Sequence, residues 1–231
     1  MNARVKPHPQ HQGVYQAILT EGATRLATRN LITGKNVYGE RLVLSKGVEY
    51  RIWDAFRSKL AAAILKGLKN VPIKSGHRVL YLGAASGTTA SHVSDLVEEK
   101  GHVYCVEFAS RSIRELVNNV CSHRSNMSPL LEDARFPNKY AMFIPRKVDI
   151  VYCDVAQPEQ AKILADNADC FLKASGWTML AVKAQSIDVT MEPSEVYKQE
   201  ISVLRKRGFS VDELIHLEPY DKAHAMILAK R

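Results

Sequence analysis

From His77 to the C-terminus, short apolar runs alternate with stretches of helical periodicity, and this alternation limits the possible folds more than any other feature. Seven runs have the length and the content of β-branched and aromatic residues that are typical of strands. They are "HRVLYL", "HVYCVEF", "MSPLL", "VDIVYCD", "WTMLAVK", "FSVDELIHL" and "AHAMILAK". Strands separated by helices form parallel crossovers. The pattern therefore predicts a doubly wound α/β sheet of seven strands.

The connections between these strands indicate their directions. Helical periodicity is present in four of them, at residues 88–100, 111–124, 158–173 and 193–207, whereas the segment between "MSPLL" and "VDIVYCD" is less regular. Only "EPYDK" separates the last two strands, and this connection is too short for a parallel crossover. We therefore expect a mostly parallel sheet whose last strand is antiparallel.

The first 55 residues have a different pattern. The segments "GVYQAILT", "TRLATRN" and "ERLVLS" are short and strand-like, and "EGA" and "TGKN" interrupt them. This predicts a small β-rich lobe over residues 1–55, followed by a second domain over residues 56–231. The next segment, "DAFRSKLAAAILKGLK", is predicted to be a helix with Asp54 as its N-cap. Its apolar stripe consists of Phe56, Leu60, Ile64 and Leu68.

The charge of the chain favours a polyanionic partner. The sequence has 32 Lys and Arg against 24 Asp and Glu, which gives a formal net charge of +8. Positive residues are spread from Arg4 to Arg231 and do not form a single tail. We therefore expect any nucleic acid to bind a folded surface. Many basic enzymes bind no nucleic acid, so charge alone does not decide the function.

Other patterns argue against several classes of protein. No apolar run approaches the roughly 20 residues that span a bilayer, so we expect no membrane partner. The first residues, "MNARVKPHPQHQGVY", lack the apolar core of a secretory signal. The four cysteines have no C-x-x-C spacing, which argues against a zinc site and against a disulfide framework. We expect no metal.

The stretch "VLYLGAASGTT" is typical of a buried strand, a glycine-containing turn and the start of a helix, where open α/β sheets bind ligands. At neighbouring strand ends, Glu107 can accept hydrogen bonds from a ribose diol and Asp133 can lie near an adenine. Ala85 stands where a dinucleotide fingerprint has its middle glycine. The set favours S-adenosylmethionine over a nicotinamide cofactor. Two alternatives stay open: a role for Gly83 only in the turn, and a role for Asp133 only as a helix cap.

Eight segments along nearly the whole chain are more specific than the glycine-containing turn alone. They are "VYGERL", "EYRIWDAFRSKLAAAIL", "VLYLGAASGTTASHVSD", "VEF", "EDARFP", "DVAQPEQ", "SIDVT" and "LEPYDKAHA". Together they resemble the fibrillarin family. The resemblance implies a Rossmann-like S-adenosylmethionine-dependent methyltransferase fold and RNA-guided ribose 2′-O-methylation of rRNA or tRNA. The implied partners are a box C/D guide RNA, the substrate RNA, a Nop-type scaffold protein and a kink-turn-binding protein.

The resemblance also implies which residues contact the cofactor. Glu107, Asp133 and Asp154 are selected independently by their places at strand ends, whereas the two threonines rest on the resemblance alone. The predicted set, together with the turn glycine, is Gly83, Thr88, Thr89, Glu107, Phe108, Asp133, Ala134, Asp154, Val155, Ala156 and Gln157.

Family members resemble other 2′-O-methyltransferases in a Lys-Asp-Lys arrangement with an added histidine, matched here by Lys59, Asp154, Lys183 and His224. Lys183 ends an apolar run, where a charge should face the crevice. We expect Lys183 to hold and deprotonate the ribose hydroxyl, and Asp154 to orient Lys183. The alternatives are a solvated helix face for Lys59 and a structural role at a strand start for His224.

Two other functions remain open: a protein (glutamine) methyltransferase, and a subunit whose main role is particle assembly. The intact Lys-Asp-Lys-His set argues against a purely structural role. The sequence starts almost directly at the β-rich lobe, without the glycine- and arginine-rich extension of eukaryotic fibrillarins. We therefore expect an archaeal-type protein in the cytoplasm; a eukaryotic source would imply the nucleolus.

Overall fold

The computed structural model describes residues 3–20 and 22–231, so Met1, Asn2 and Glu21 of the predicted lobe lie outside the described residues. The first of two sheets is antiparallel, with the order β1-β2-β3-β5-β4. Its strands are β1 (Arg4–Pro7), β2 (Val14–Ile18), β3 (Thr24–Arg29), β4 (Leu42–Ser45) and β5 (Val48–Trp53).

The sequence pattern identifies three of these five strands. β2, β3 and β4 lie within the predicted segments, whereas the pattern does not predict β1 or β5. In β5, Glu49 and Arg51 interrupt the apolar residues, and a charged residue inside a strand normally indicates exposure. Arg51 is nevertheless fully buried. The burial of a charged side chain is therefore the reason that sequence reasoning overlooks β5.

The second sheet confirms the seven predicted strands and their directions. Its order is β11-β12-β10-β9-β6-β7-β8, and β12 is antiparallel to both of its neighbours while the remaining pairs are parallel. β10 begins earlier than predicted, and its register with β9 is irregular before Trp177. The strands are β6 (Arg78–Leu82), β7 (His102–Glu107), β8 (Met127–Leu131), β9 (Val148–Cys153), β10 (Leu172–Lys183), β11 (Ser210–His216) and β12 (His224–Lys230).

Helices occupy the predicted connections. Four of them correspond to the predicted helical stretches, and two short 3₁₀ helices at 137–139 and 141–143 occupy the less regular segment. The α-helices are α1 (Lys59–Leu65), α2 (Thr88–Val97), α3 (Ser110–Asn119), α4 (Gln160–Phe171), α5 (Ala184–Ile187) and α6 (Pro193–Lys206). Within the described residues, no helix is long and apolar enough to cross a membrane.

The prediction for the start of α1 was wrong. The N-cap is Ser58, whose Oγ accepts a hydrogen bond from the backbone N–H of Ala61. Asp54 instead accepts a hydrogen bond from the backbone N–H of Phe56, which closes a turn before the helix. Phe56 therefore lies outside the helix and is 69% exposed, although the periodicity places it in the apolar stripe.

The end of α1 also precedes the predicted one. Gly67 has a φ of +94°, its N–H donates to the carbonyl of Ile64, and the N–H of Leu68 donates to the carbonyl of Ala63. This pair of bonds is a Schellman motif, which ends a helix at a glycine in the left-handed region. Leu68 is buried, as expected, but it lies beyond the helix.

The second sheet is covered on both faces. Val79 and Tyr81 of β6 belong to one apolar cluster, and Leu80 and Leu82 belong to another on the opposite face. A strand buried on both faces has no polar face to alternate with its apolar one. This is why the central strands form continuous apolar runs in the sequence.

A buried ion network connects the two sheets through α2. Asp95 of α2 accepts a hydrogen bond from Arg51 Nη1 of β5 at 2.9 Å and one from Arg124 Nη1 at 2.6 Å. Arg51 Nε also donates to Glu40 at 2.6 Å. These side chains are 2% exposed or less. Two positive charges are balanced by two negative charges, which a buried cluster requires.

Replacement of Asp95 with alanine should lower the free energy of unfolding by about 3–5 kcal/mol, because two buried guanidinium groups would lose their shared partner. Chemical denaturation followed by circular dichroism measures the change. The control is Glu115→Ala, which removes an exposed ion pair with Arg111 and should cost less than about 1 kcal/mol. Similar losses from the two variants would contradict the importance of the network.

Candidate active site

The carboxyl ends of β6 and β9 approach each other closely. Gly83 directly follows β6 with a φ of +79°, and the N–H of Asp154, directly after β9, donates to the carbonyl of Leu82 at 2.9 Å. A Cβ atom on Gly83 would lie 2.5 Å from the carbonyl oxygen of Asp154. The glycine is therefore needed both for its backbone conformation and for the space between the two strand ends.

A cavity of about 210 Å³ opens at this edge of the sheet, and most of the predicted cofactor residues line it. The predicted residues in its wall are Gly83, Glu107, Phe108, Asp133, Ala134, Asp154, Val155, Ala156 and Gln157, together with Lys183. Sequence reasoning did not select four further wall residues, Ala85, Val106, Glu132 and Ile163.

Thr88 and Thr89 are not among the residues that line this cavity. They are the first two residues of α2. Thr89 is buried, and its hydroxyl donates a hydrogen bond to Ser58 Oγ at 3.0 Å. The structure therefore shows Thr89 in a link between the starts of α1 and α2, and the predicted contact of both threonines with the cofactor stays a prediction.

Glu107 ends β7 and supports the glycine-containing turn. Its side chain accepts hydrogen bonds from the backbone N–H of Ala85 at 2.9 Å and from that of Ala109 at 2.8 Å, one on each carboxylate oxygen. Glu107 is only 7% exposed, yet it lies in the cavity wall. Each carboxylate oxygen has a second lone pair, so a ribose diol could bind without displacing the turn.

Asp133 is held by a neighbouring arginine. Arg135 Nη2 donates to Asp133 Oδ2 at 2.6 Å, and the Arg135 backbone N–H donates to Oδ1 at 2.9 Å. The side-chain hydrogen bonds from Arg135 are the main reason that the pKa of Asp133 lies below its ordinary value. Asp133 is therefore an ionised acceptor at the wall of the cavity.

These features fit S-adenosylmethionine. Gly83 lets the ends of β6 and β9 meet in the wall of the cavity, and Glu107 and Asp133 supply carboxylates for a ribose and an adenine. Among the described residues there is no group of three or more His, Cys, Asp or Glu side chains that could hold a metal ion.

Asp154 also connects the two predicted catalytic lysines. Its Oδ1 lies 3.0 Å from Lys183 Nζ and 3.3 Å from Lys59 Nζ. Lys183 Nζ also donates a hydrogen bond to the Asp154 carbonyl oxygen at 3.2 Å, so it contacts both the backbone and the side chain of Asp154. The three side chains are 13–20% exposed. They form a compact, partly buried cluster beside the cavity.

His224 joins this cluster through Asp221, which sequence reasoning missed. His224 is the cross-strand partner of Lys183, and its Nδ1 lies 2.9 Å from Asp221 Oδ1 and 2.6 Å from the carbonyl oxygen of Lys222. Since a carbonyl only accepts, we assign the hydrogen of the neutral ring to Nδ1, which leaves Nε2 as an acceptor. The structure thus brings all four predicted catalytic residues together.

Asp221 also lies 3.5 Å from Lys59 Nζ. Burial alone would raise the pKa of Asp221, but the hydrogen bond to His224 and the charge of Lys59 outweigh burial and lower it. Asp221 is therefore a carboxylate between two predicted catalytic residues. Its place in "EPYDK", beside the start of the antiparallel strand, was the signal that could have identified it.

Gln160 holds the backbone of Lys183. Its amide Oε1 accepts a hydrogen bond from the Lys183 N–H at 2.9 Å, and its Nε2 donates to the Lys183 carbonyl at 3.2 Å. Gln160 is fully buried at the start of α4. Gln160 therefore binds both the N–H and the carbonyl of Lys183. These two hydrogen bonds fix the backbone at the end of β10 and restrict the position of the Lys183 side chain. The motif "DVAQPEQ" contains Gln160, but its spacing does not indicate this contact.

The sequence model of the fibrillarin family matches residues 5–231. The chain belongs to the fibrillarin family. The fibrillarin-like rRNA/tRNA 2′-O-methyltransferase of Pyrobaculum calidifontis is 59% identical over 228 residues, which cover 98% of this chain and 97% of the relative.

Two solved fibrillarin structures are also similar to this family member. Aeropyrum pernix fibrillarin in complex with natively bound S-adenosyl-L-methionine has a TM-score of 0.92 and 53% identity, covering 98% of this chain and 97% of its own. A fibrillarin/Nop5p complex has a TM-score of 0.83 and 41% identity, covering 95% and 98%. These likenesses confirm the predicted methyltransferase fold with its N-terminal β-rich lobe.

In this fibrillarin, Gly83→Ala should reduce the affinity for S-adenosylmethionine, because the added Cβ would push apart the ends of β6 and β9. Calorimetry measures the affinity. The matched control is Gly76→Ala, since Gly76 has a φ of +81° but no atom within 4 Å of an added Cβ. Both variants should lose about 1–2 kcal/mol of stability from the left-handed backbone. Equal cofactor affinities in the two variants would show that the close approach does not matter for binding.

Proposed function

We propose that the chain transfers a methyl group from S-adenosylmethionine to the ribose 2′-hydroxyl of rRNA or tRNA, at nucleotides selected by a box C/D guide RNA. The observation that carries this proposal is the Lys59–Asp154–Lys183 cluster at the wall of a cavity whose other residues suit the cofactor. The names of the relatives and the cofactor-bound fibrillarin structure support it.

The side chains of the cluster divide the chemistry between them. When bound, S-adenosylmethionine supplies a methyl group on a sulfonium. Lys183 holds the 2′-hydroxyl and, in its uncharged form, takes its proton while the new C–O bond forms and the S–C bond breaks. Lys59 supplies positive charge for the developing alkoxide. Asp154 keeps both lysine side chains in place through the contacts of its carboxylate with their Nζ atoms.

The proposed partners follow from the comparisons and from charge. A fibrillarin has been solved with Nop5p, which supports a Nop-type scaffold for this chain. The net charge of +8 suits a guide RNA and a substrate RNA. A kink-turn-binding protein completes the proposed particle. The guide, rather than the isolated chain, would select the nucleotide.

The test of this proposal is methyl transfer to a target RNA by particles assembled with a guide RNA and both partner proteins. Wild-type particles should methylate the 2′-hydroxyl of the one target nucleotide that the guide RNA selects. Lys183→Ala should reduce the single-turnover rate by about 10²–10⁴-fold without loss of S-adenosylmethionine affinity. Absence of ribose methylation by the wild type would overturn the proposed function.

The chain offers a matched control for Lys183. Lys173 pairs with Asp149 on the same two strands, β10 and β9, but at the opposite edge of the sheet from the cavity. Lys173→Ala therefore removes a similar ion pair and should leave the rate of methyl transfer unchanged. A similar loss of rate in both variants would mean that Lys183 acts only through the stability of the fold.

Asp221→Ala should lower the single-turnover rate by about tenfold or more, because Asp221 positions Lys59 and His224. Cofactor affinity should not change, since Asp221 does not line the cofactor cavity. Asp221→Asn keeps an acceptor for His224 Nδ1 and should retain more activity than the alanine variant. The control is Asp212→Ala, an exposed carboxylate on β11. Wild-type rates in Asp221→Ala would exclude the positioning role.

A further inference from the structure

One face of α4 connects the helix to the reaction centre through three buried residues, Gln160, Ile163 and Asn167. They are spaced by three and four residues, so they lie one above the other on the same side of the helix. Ile163 is in the wall of the cofactor cavity, whereas the two amide side chains are fully buried and do not line it. We call these three residues the α4 face.

Gln160 takes the place of a neighbouring strand at the end of β10. The last residue pair between β10 and β9 is Leu180 with Cys153, three residues before Lys183. On its other side, Lys183 lies opposite His224 of β12. Both backbone groups of Lys183 bond to Gln160, at 2.9 and 3.2 Å, so both point away from β12. Gln160 thus continues, at Lys183, the hydrogen bonding that β9 provides to earlier residues of the strand.

Asn167 holds a second backbone segment of the cofactor cavity. Its Nδ2 donates to the carbonyl of Ala134 at 2.8 Å and to that of Ile163 at 2.9 Å. Its Oδ1 accepts a hydrogen bond from the hydroxyl of Tyr140, which is also fully buried. Ala134 directly follows Asp133, and both line the cavity. Asn167 therefore fixes the segment that carries the acid predicted to lie near the adenine.

The start of α4 is itself held in place. Glu200 of α6 is buried, and its carboxylate accepts a hydrogen bond at 2.6 Å from the N–H of Ala161, the residue after Gln160. N–H groups in the first turn of a helix have no partner within the helix, so this contact ties α4 to α6. A buried amide that loses its partner costs free energy. Gln160 and Asn167 therefore favour one position of each backbone segment that they hold.

We propose that Gln160 and Asn167 are positioning residues with separate effects on the reaction. Gln160 sets the position of Lys183 and thereby the rate of methyl transfer. Asn167 sets the position of Asp133 and Ala134 and thereby the affinity for S-adenosylmethionine. The part that concerns Gln160 rests on the proposed function, because Lys183 acts on the ribose hydroxyl in that reaction.

The first test compares Gln160→Met with Asn167→Leu, which keep the approximate shape of each side chain and remove its amide. Calorimetry measures S-adenosylmethionine affinity, and assembled particles report the single-turnover rate at saturating cofactor. Gln160→Met should keep the affinity and lower the rate about 10- to 100-fold, as expected for a reacting group displaced by about 1 Å or less. Asn167→Leu should weaken the affinity about 3- to 10-fold, the loss of roughly one net hydrogen bond, and excess cofactor should restore most of its rate.

The chain offers a matched control in another buried amide. Asn126 donates to the carbonyls of Ser94 and Glu98, at 3.0 and 2.9 Å, and does not line the cofactor cavity. Asn126→Leu should lower the melting temperature but change neither the rate nor the affinity. If Gln160→Met and Asn167→Leu lost rate and affinity in parallel, or only as much as Asn126→Leu, the proposal would be overturned.

A second pair of variants applies if the apolar replacements do not fold. Gln160→Glu and Asn167→Asp keep the shape and one acceptor oxygen, and they replace only the amide nitrogen that donates to a backbone carbonyl. They should show the same division, with Gln160→Glu affecting the rate and Asn167→Asp the affinity. A wild-type rate in Gln160→Glu, or wild-type affinity in Asn167→Asp, would contradict the assigned role of that residue.

A further measurement does not depend on methyl transfer. Lys183 is 20% exposed and paired with Asp154, so displacement of its backbone should make its Nζ more accessible. Competitive acylation followed by mass spectrometry should therefore show faster modification of Lys183 in Gln160→Met than in the wild type or in Asn167→Leu. An unchanged rate of acylation would overturn the role of Gln160. Failure of wild-type particles to methylate ribose would instead reject the proposed function, while acylation and calorimetry would still report on the α4 face.

Discussion

The buried pairing of Arg51 with Asp95 is the contact on which the relative position of the two sheets depends. Asp95 lies on α2, the helix that begins directly after the glycine-containing turn. The same helix therefore follows the turn beside the cofactor cavity and holds the first sheet through Arg51. Thr28 donates to Asp95 and accepts from His92 Nδ1–H, while Tyr38 lies 2.8 Å from His92 Nε2. Burial, then the nearby arginine charges, hold the pKa of His92 well below its ordinary value, so the ring is neutral. The network therefore extends without a break from α2 to Tyr38, in the segment between β3 and β4.

Lys59 is a point of contact between the two parts of the fold. Its helix follows the last strand of the first sheet, and its ammonium group pairs with Asp154 of the second sheet. The contact of Thr89 with Ser58 ties the N-cap of α1 to the start of α2. Any shift of the first sheet relative to the second would therefore move Lys59 relative to the cofactor cavity. This explains why a small β-rich lobe with no residue in the cofactor cavity can still determine the geometry of the reaction centre.

The amino-acid sequence by itself determined the succession of the seven strands along the chain, their directions and the helices between them. These features follow from local periodicity and connection length, which depend on residues close together in the chain. It also selected Glu107, Asp154 and Lys183, because the carboxyl ends of parallel strands lie at the same edge of a sheet. The acidic residues of the cofactor cavity could therefore be predicted before any contact was known. The resemblance to fibrillarin added four wall residues of the cavity, Ala134, Val155, Ala156 and Gln157. It also added Lys59 and His224, which periodicity alone places on a solvated helix face and at a strand start.

Only the tertiary structure decided which charged side chains are buried and what they pair with. Arg51 is in a strand that sequence reasoning missed, since nothing local shows that Asp95, 44 residues away, compensates its charge. Asp221 was missed for the same reason, because its role depends on Lys59 being brought beside it by the fold. Phe56 shows the converse case: periodicity places it in the core, and a local turn leaves it exposed. Pairing between distant charges, and the exact start of a helix, are set by contacts that periodicity does not record.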